Sequence, residues 1–301
     1  MSAQNVLVLG GSGNLGGPIL AAIAADPSFN VTVLTREGSK STFPAGVPVK
    51  RADYTSHDSL VAAFKGHDTI VSVVATDRAI DQIKFVDAAV EAGVRRFYPT
   101  EFGSIASSDD EALVREWWDR TNIHGKFEVY QHIKKLADAG KIEYTLIANG
   151  PFFDWGLLAG FLGLDPKERK ATVLGSGNQI VAVSTLAHVG KGVVWSLSHQ
   201  DETKNRAVRL YSHKITQNQL VEAAESATGT KWTVERVPVQ EWIQKGEEAL
   251  KGGSPWAGYQ VMQGFIFDEE DKYGSNFKVN EFPAEEGRTV EQVVKDVLGS
   301  L

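Results

Sequence analysis

Short apolar runs alternate with longer amphipathic stretches over the first half of the chain. The runs predict buried parallel strands at residues 6–9, 31–34, 47–51, 69–74, 96–99 and 144–148. The stretches between them predict helices at 15–25, 58–65, 80–92 and 127–139, several of which end at a glycine or before a proline. Regular alternation of strand and helix predicts an α/β fold, a Rossmann-type doubly wound parallel sheet with right-handed crossovers.

The alternation breaks after Gly150. Residues 172–174 and 180–183, joined by a glycine-rich turn at 175–178, predict a hairpin. Helices are expected at 185–197, 216–228 and 289–298. We therefore divide the chain into a Rossmann-type domain at 1–150 and a smaller mixed α/β region at 151–301. Whether some segments of that region return to the main sheet stays open.

Composition narrows the function classes. The 301 residues include no cysteine, which excludes disulfides, a thiol nucleophile and thiolate metal ligands. The net charge of −7 argues against a partner bound through nucleic-acid phosphates. The apolar runs are too short to cross a membrane, and a strand pattern begins almost at the first residue, where a signal peptide would lie. These features favour a cytoplasmic protein.

A glycine-rich loop lies between the first predicted strand and the first predicted helix. Its glycines have the spacing of a dinucleotide-binding loop. Such a loop needs glycine because the turn is tight and a pyrophosphate must approach the backbone closely. The helix that follows offers free N–H groups and the positive end of its dipole. The expected cofactor contacts in this loop are Gly10, Ser12, Gly13, Asn14, Leu15 and Gly16.

Arg36 follows the second predicted strand, 20 residues beyond Gly16. A carboxylate at this place favours NAD, whereas a guanidinium can bind the 2′-phosphate of NADP with two hydrogen bonds. Lys40 adds a second positive charge, while the neighbouring Glu37 keeps the NAD interpretation open. We favour NADPH/NADP⁺, which makes 1–150 an NADP(H)-binding Rossmann domain and 151–301 the expected substrate-binding region.

Further ligand contacts are expected where the other strands end, at the carboxyl edge of the sheet. Asp53 is placed near the adenine, with a helix-start role as the alternative. Ala75 and Thr76 are placed near the nicotinamide ribose. The segment after the sixth strand could cover the nicotinamide and line a pocket for a flat substrate, or it could be a packed loop. The remaining expected contacts are Gly150 and Phe152 for the cofactor, and Phe102, Phe153 and Trp155 for the substrate.

The sequence Glu-Ala-Gly-Val-Arg-Arg-Phe-Tyr-Pro-Thr-Glu-Phe-Gly at 91–103, together with the glycine loop and Thr35-Arg36, resembles a known family. It is similar to the isoflavone, pinoresinol-lariciresinol and phenylcoumaran benzylic ether reductases, atypical short-chain dehydrogenases of the NmrA-like group. The resemblance spans essentially the whole chain. It implies a Rossmann-type domain, NADPH, and reduction of an aromatic or conjugated small molecule.

The chain departs from that family on the helix expected to be catalytic. Counting back from Tyr144-Thr145, the family's lysine falls on Tyr130, whereas Lys126 lies one turn earlier and Lys134 one turn later. Tyr130 and Lys134 have the Tyr-x-x-x-Lys spacing of ordinary short-chain dehydrogenases, in which an ammonium lowers the pKa of a proton-donating phenol. An exposed amphipathic helix is an equal alternative.

The leading assignment makes Tyr130 the proton donor, assisted by Lys134, with Lys126 as the second choice. Thr100 or Ser104 would orient the substrate oxygen. No spacing typical of metal ligands is present, so no metal site is expected.

The sequence thus favours an NADPH-dependent reductase of a small phenolic, carbonyl or enone-type metabolite. A catalytically silent NADP(H) sensor of the NmrA-like type is the main alternative, and a protein that retains the cofactor for non-redox chemistry is another. The expected partner is a small aromatic substrate, with no nucleic acid and no membrane. The protein is expected to be a monomer or a homodimer.

Overall fold

The structure is a computed structural model that describes residues 3–103, 110–123, 125–254 and 256–299. Its chain forms two compact units. The first comprises Met1–Phe102, Ile123–Ile147 and Val189–Val208, and the second comprises Gly103–Asn122, Ala148–His188 and Arg209–Leu301. Both units are therefore discontinuous in sequence, whereas the sequence pattern predicts one boundary, after residue 150.

The secondary-structure elements are numbered along the chain. The strands are β1 (Gln4–Leu9), β2 (Phe29–Arg36), β3 (Val49–Ala52), β4 (Thr69–Ser72), β5 (Arg96–Tyr98), β6 (Glu143–Ala148), β7 (Leu164–Asp165), β8 (Lys170–Leu174), β9 (Val181–Val183), β10 (Arg206–Arg209), β11 (His213–Ile215) and β12 (Thr233–Val237). The α-helices are α1 (Gly16–Ala24), α2 (His57–Phe64), α3 (Gln82–Ala92), α4 (Glu111–Thr121), α5 (Lys126–Asp138), α6 (Phe153–Leu158), α7 (Leu186–Ser198), α8 (Gln200–Thr203), α9 (Gln217–Thr228), α10 (Val239–Lys251), α11 (Ala257–Ile266) and α12 (Val290–Leu298). A 3₁₀ helix spans Thr76–Asp81.

The first unit is built on a seven-stranded sheet in the order β10-β6-β5-β4-β1-β2-β3. Each of the five strand pairs from β6 to β3 is parallel. The interior strand β1 carries four consecutive fully buried apolar side chains, as expected for a strand covered on both faces. The sequence-based assignment of an α/β, Rossmann-type fold is confirmed.

Helices of the first unit begin and end where local chemistry dictates. Ser56 caps α2 by accepting a hydrogen bond from the N–H of Ser59. Helix α3 ends at Gly93, whose φ of +79° is a left-handed conformation that costs glycine little. The Glu128 carboxylate accepts from the N–H of Gly125 at 2.8 Å, which fixes the start of α5. The last of these contacts determines the residue at which α5 begins.

The second unit contains two small sheets and several helices. One sheet has the order β12-β8-β7, with β12 parallel and β7 antiparallel to β8. The other is the antiparallel pair β11-β9. Helix α9 starts with a capping box in which Thr216 and Gln219 satisfy each other's backbone N–H groups.

The predicted hairpin at 172–183 is wrong. Strand β8 pairs with β7 and β12, while β9 pairs with β11 in a separate sheet. The turn between them is held by distant side chains instead of a shared ladder: the Asn218 amide and the Arg236 guanidinium donate to the Ser176 carbonyl, and the Glu269 carboxylate accepts from the Ser176 N–H. The short loop between β8 and β9 predicts that they pair with each other, but each strand pairs instead with strands elsewhere in the chain.

Over the part of the chain that the structure describes, no helix is both long and apolar enough to span a membrane.

Candidate functional site

The glycine loop closes tightly against the first unit's own backbone. Gly10 has a φ of +78°, and a Cβ there would overlap the Val73 carbonyl oxygen. A Cβ on Gly16 would overlap the Gly10 carbonyl oxygen. The loop folds back through a hydrogen bond of 3.0 Å from the Gly13 N–H to the Gly10 carbonyl. Two of the three spaced glycines are thus required by the turn and by the packing of α1 on it.

Gly13 differs from Gly10 and Gly16 because the packing of the loop leaves room for a side chain at this position. The nearest atom that a Cβ would meet is the Gly10 oxygen at 3.4 Å, and Ser12, Gly13 and Asn14 are all exposed. Leu15, the residue before α1, makes no side-chain capping bond, and the first turn of α1 holds no acidic residue. This open backbone at an uncapped helix N-terminus fits an anionic ligand.

Positive charge lies where β2 ends. Arg36 and Lys40 are exposed, and neither forms an ion pair with another described residue. Beside them the Ser39 and Ser12 hydroxyls lie 3.2 and 3.1 Å from the Ser41 hydroxyl. Two cations and a set of hydroxyl donors match the needs of a phosphate group.

Strand β3 contributes the exposed Arg51 to the same region. Its guanidinium donates to the Ser39 carbonyl at 2.9 Å and fixes the segment that carries Lys40. Glu37, the residue that kept the NAD interpretation open, is exposed, and its N–H donates to the Ala52 carbonyl.

The expected contacts after β3 and β4 have different surroundings. Asp53 accepts from both the N–H and the hydroxyl of Thr55, at 2.8 and 2.7 Å, so its carboxylate stabilises the turn before α2. These bonds lower the pKa of Asp53. Ala75 is exposed and Thr76 half-buried at the start of the 3₁₀ helix. Because β1 and β4 are parallel neighbours, this segment and the glycine loop follow strand ends at the same edge of the sheet.

Thr100 joins the ends of β4 and β5. Its hydroxyl donates to the Val74 carbonyl at 2.9 Å, and its N–H donates to the Gln82 side-chain oxygen at 2.8 Å. The residue is buried. Thr100 therefore positions the strand ends. Ser104, the alternative hydroxyl, lies outside the described residues.

Lys126 is the first residue of α5, and its ammonium is buried. Its Nζ donates to the backbone carbonyl of Glu101 at 2.7 Å, and the two side chains are 8% and 5% exposed. Burial lowers the pKa of Lys126, and the Glu101 charge opposes that shift. Burial raises the pKa of Glu101 to about 7, against the effect of Lys126. A buried acid–base pair thus lies where β5 ends.

Tyr130 lies one turn further along α5. Its half-buried ring is edge-on to Tyr144, with ring centroids 6.2 Å apart. Tyr144 is the second residue of β6, so α5 runs from the carboxyl edge of the sheet toward the amino edge. Lys134 is one turn further in the same direction. The structure therefore brings Lys126, and not Tyr130, to the edge where β5 ends.

Gly150 and the aromatic residues after β6 belong to the second unit. Gly150 has a φ of +65°, and a Cβ there would overlap the Ala182 carbonyl oxygen. Phe153 is fully buried, with its ring 5.4 Å from that of His213. The rings of Phe152 and Trp155 are 6.4 Å apart, and Trp155 is 36% exposed. Full burial favours a packing role for Phe153, and Trp155 offers open aromatic surface.

Three features of this region are not predicted by the sequence. Glu101 belongs to the motif at 91–103, but its contact with Lys126 is not predicted, because 25 residues separate the two. Phe102 is a predicted substrate contact, but the strained backbone that its φ of +29° marks next to Glu101 is not predicted. Gly125 has a φ of +100°, and a Cβ there would lie 2.7 Å from the Ile80 nitrogen. A glycine directly before a helix was the available signal.

No group of three or more potential metal ligands occurs among residues 3–103, 110–123, 125–254 and 256–299.

The strand order, the glycine loop and the uncapped helix define the class: an α/β protein with a Rossmann-type dinucleotide-binding architecture. The model of the NmrA-like family matches residues 2–252. The chain belongs to the NmrA-like family.

Relatives of known name agree with that assignment. The chain is 32% identical over 300 residues to the oxidoreductase aprR of Aspergillus flavus, covering 97% of this chain and 98% of the relative. It is 29% identical to the isoflavone reductase homolog IRL of Zea mays, covering 82% and 81%.

Among solved structures, AtPrR2 with NADP⁺ and (+)pinoresinol superposes with a TM-score of 0.76 at 21% identity, covering 99% of each chain. The leucoanthocyanidin reductase–NADPH complex from Vitis vinifera has a TM-score of 0.77 at 19% identity, covering 98% and 99%. At this identity the similarity shows a shared fold.

Proposed function

We propose that the protein is an NADPH-dependent reductase of a small aromatic or conjugated carbonyl or enone-type metabolite. The observation that carries the proposal is the pairing of an open phosphate cradle at Gly13 with a buried lysine at the start of α5. Both follow strand ends of one parallel sheet, at the edge where such sheets bind ligands. Relatives named oxidoreductase and isoflavone reductase support this class.

The cofactor would be held by the first unit. The exposed backbone of residues 12–14 and the N-terminus of α1 would bind the pyrophosphate. Arg36 and Lys40 would bind the 2′-phosphate, with the Ser39 and Ser41 hydroxyls as further donors. Bound NADPH supplies a hydride from its nicotinamide ring. Ala75 and Thr76 stay proposed neighbours of the ribose, and Asp53 a proposed neighbour of the adenine.

Reduction also needs a proton, and we assign its donor to Lys126. Its ammonium is buried and fixed by the Glu101 carbonyl, so its position is defined before substrate arrives. Burial lowers the pKa of Lys126, which makes its ammonium a stronger acid than an exposed lysine. Tyr130 is the weaker candidate because its ring packs near the amino end of β6.

The substrate would be recognised by aromatic surface. Trp155, with its exposed ring, is the proposed contact for a flat substrate. Phe152, whose ring is 6.4 Å from that of Trp155, stays a proposed cofactor contact, and Phe102 stays a proposed substrate contact. Phe153 stays a proposed contact, although its full burial argues for support of its neighbours.

The cofactor assignment can be tested without a substrate, by titrating the protein with NADPH and following nicotinamide fluorescence. We expect Gly13→Ala to weaken binding about tenfold or more, because its methyl group would occupy the phosphate cradle. Gly17→Ala is the matched control, since a Cβ at Gly17 meets no atom within 4 Å. Equal affinity in both variants would contradict the proposed cradle.

Turnover is tested with NADPH and a panel of phenolic ketones and enones, followed by loss of NADPH absorbance. The second candidate, a silent NADP(H) sensor, is favoured by one observation: Tyr130 stands where the reductases that the chain resembles carry lysine. A sensor would distinguish NADP⁺ from NADPH in titration and oxidise NADPH with no member of the panel.

A further inference from the structure

We propose that Glu101 is a positioning residue whose buried carboxylate keeps the Lys126 ammonium protonated until substrate arrives. This inference rests on the proposed function, because it concerns the proton donor assigned there. It adds a second ionisable group to that site and explains how a lysine can hold a proton in a buried place.

The Lys126 ammonium lies where a positive charge is disfavoured twice. It is almost fully buried, and it stands on the first residue of α5, at the positive end of the helix dipole. A buried ammonium without a counter-charge loses its proton. Among the described residues, Glu101 is a charge that raises the pKa of Lys126, and Lys126 is a charge that lowers the pKa of Glu101.

Other charged groups near α5 have different roles. On α5 itself, the Glu128 carboxylate accepts from the Gly125 N–H. The 3₁₀ helix and α3, which pack against α5, carry Asp81, Arg78 and Lys84, and the last two pair with Asp81 at 2.9 and 3.0 Å. These elements also carry Asp77, which is exposed, and Asp87, which pairs with His132 at 2.6 Å.

The segment that carries Glu101 is firmly held. The Glu101 N–H donates to the Pro99 carbonyl at 2.8 Å, and the preceding Thr100 is fixed by Gln82 and by the Val74 carbonyl. Phe102, which follows, adopts a left-handed φ of +29° that a phenylalanine holds only when its surroundings require it. A rigid segment keeps the carboxylate in place while the charge beside it changes.

The proton balance follows from this pair. Lys126 Nζ gives its proton to the substrate, which has accepted the hydride, and becomes a neutral amine. The Glu101 carboxylate then remains buried without its counter-charge, which favours uptake of a proton from solvent by the pair. Lys126 is thereby restored for the next turnover.

The experiment is an NMR titration of Lys126 in protein labelled with ¹³C at the lysine ε-carbon, with Lys126→Met identifying the resonance. We expect Glu101→Gln to lower the titration midpoint of Lys126 by about one pH unit or more, a tenfold change. The backbone carbonyl that accepts from Nζ is retained in this variant, so the change isolates the charge. Glu101→Asp is the control, expected to restore the midpoint to within about half a unit.

A reciprocal titration covers the case in which Glu101→Gln does not fold. With ¹³C at the glutamate δ-carbon, the midpoint of Glu101 is expected near 7 in the unchanged protein and higher in Lys126→Met, because the cation that lowers it is gone. Unchanged midpoints in either titration would overturn the inference. The proposed function fails separately, if the midpoints shift as expected but Lys126→Met turns over substrate normally.

Discussion

The first turn of α5 and the two turns that follow carry similar residues in different surroundings. Lys126 is buried beside Glu101, where β5 ends. Tyr130 and Lys134 have the spacing of a known catalytic pair, yet Tyr130 packs on Tyr144 near the amino end of β6. Spacing within a helix shows which residues share a face, but the edge of the sheet that each turn reaches decides which of them can meet a ligand.

The largest effect is expected for Lys126→Met, which removes the proposed donor and keeps an apolar side chain of similar length. We expect kcat to fall about 10²- to 10⁴-fold. NADPH affinity should stay within about twofold, because the cradle at Gly13 is untouched. Steady-state turnover and fluorescence titration check the two parts. Normal turnover by this variant would show that the proton donor is not in the first turn of α5.

The second-largest effect is expected for Arg36, the proposed contact for the 2′-phosphate of NADPH. Arg36→Ala should raise the KM for NADPH about ten- to a hundredfold, since charge-assisted hydrogen bonds to a phosphate are lost. The KM for NADH, which lacks that phosphate, should hardly change. Comparison of the two cofactors over a concentration series is the measurement. An equal rise for both would remove Arg36 from the 2′-phosphate site.

The pH dependence of kcat gives an intermediate effect. The protonated form of Lys126 is the active one, and its pKa lies below the ordinary 10.5. We therefore expect kcat to be maximal at pH values below this lowered pKa and to fall about tenfold per pH unit above it. Tyr130→Phe should show the same alkaline limb. A limb that disappears in Tyr130→Phe would assign the titration to the phenol.

The smallest effects are expected from the later turns. Tyr130→Phe and Lys134→Met should each change kcat by less than about threefold, because neither side chain reaches the edge where β5 ends. Thermal unfolding monitored alongside turnover separates packing from chemistry. A loss of a hundredfold with unchanged melting temperature would restore the Tyr-x-x-x-Lys assignment.

Much of the first unit could be predicted because its signals are local. The apolar run of β1, the glycine loop and the start of α1 lie within about twenty residues, and each has a direct physical meaning. The alternation alone predicts that the strands are parallel. Arg36 stays a predicted phosphate contact, chosen from its distance to Gly16.

The remaining features depend on contacts between distant parts of the chain. Glu101 and Lys126 meet because Gly125 lets α5 begin against the 3₁₀ helix, which no short motif expresses. The turn at 175–178 has glycines much like the loop at 10–16, yet Asn218, Arg236 and Glu269 satisfy its backbone, and its strands join different sheets. Hairpin pairing failed for that reason.

The proton-donor role of Lys126 is best tested by a crystal structure of the protein with NADP⁺ and a substrate or product from the turnover panel. We expect Lys126 Nζ to lie within about 3 Å of the ligand atom that receives the proton, above the nicotinamide ring. The Tyr130 hydroxyl should lie well beyond hydrogen-bond reach of it. A complex in which the Tyr130 hydroxyl contacts that atom and Lys126 Nζ lies out of its reach would assign the proton donor to Tyr130.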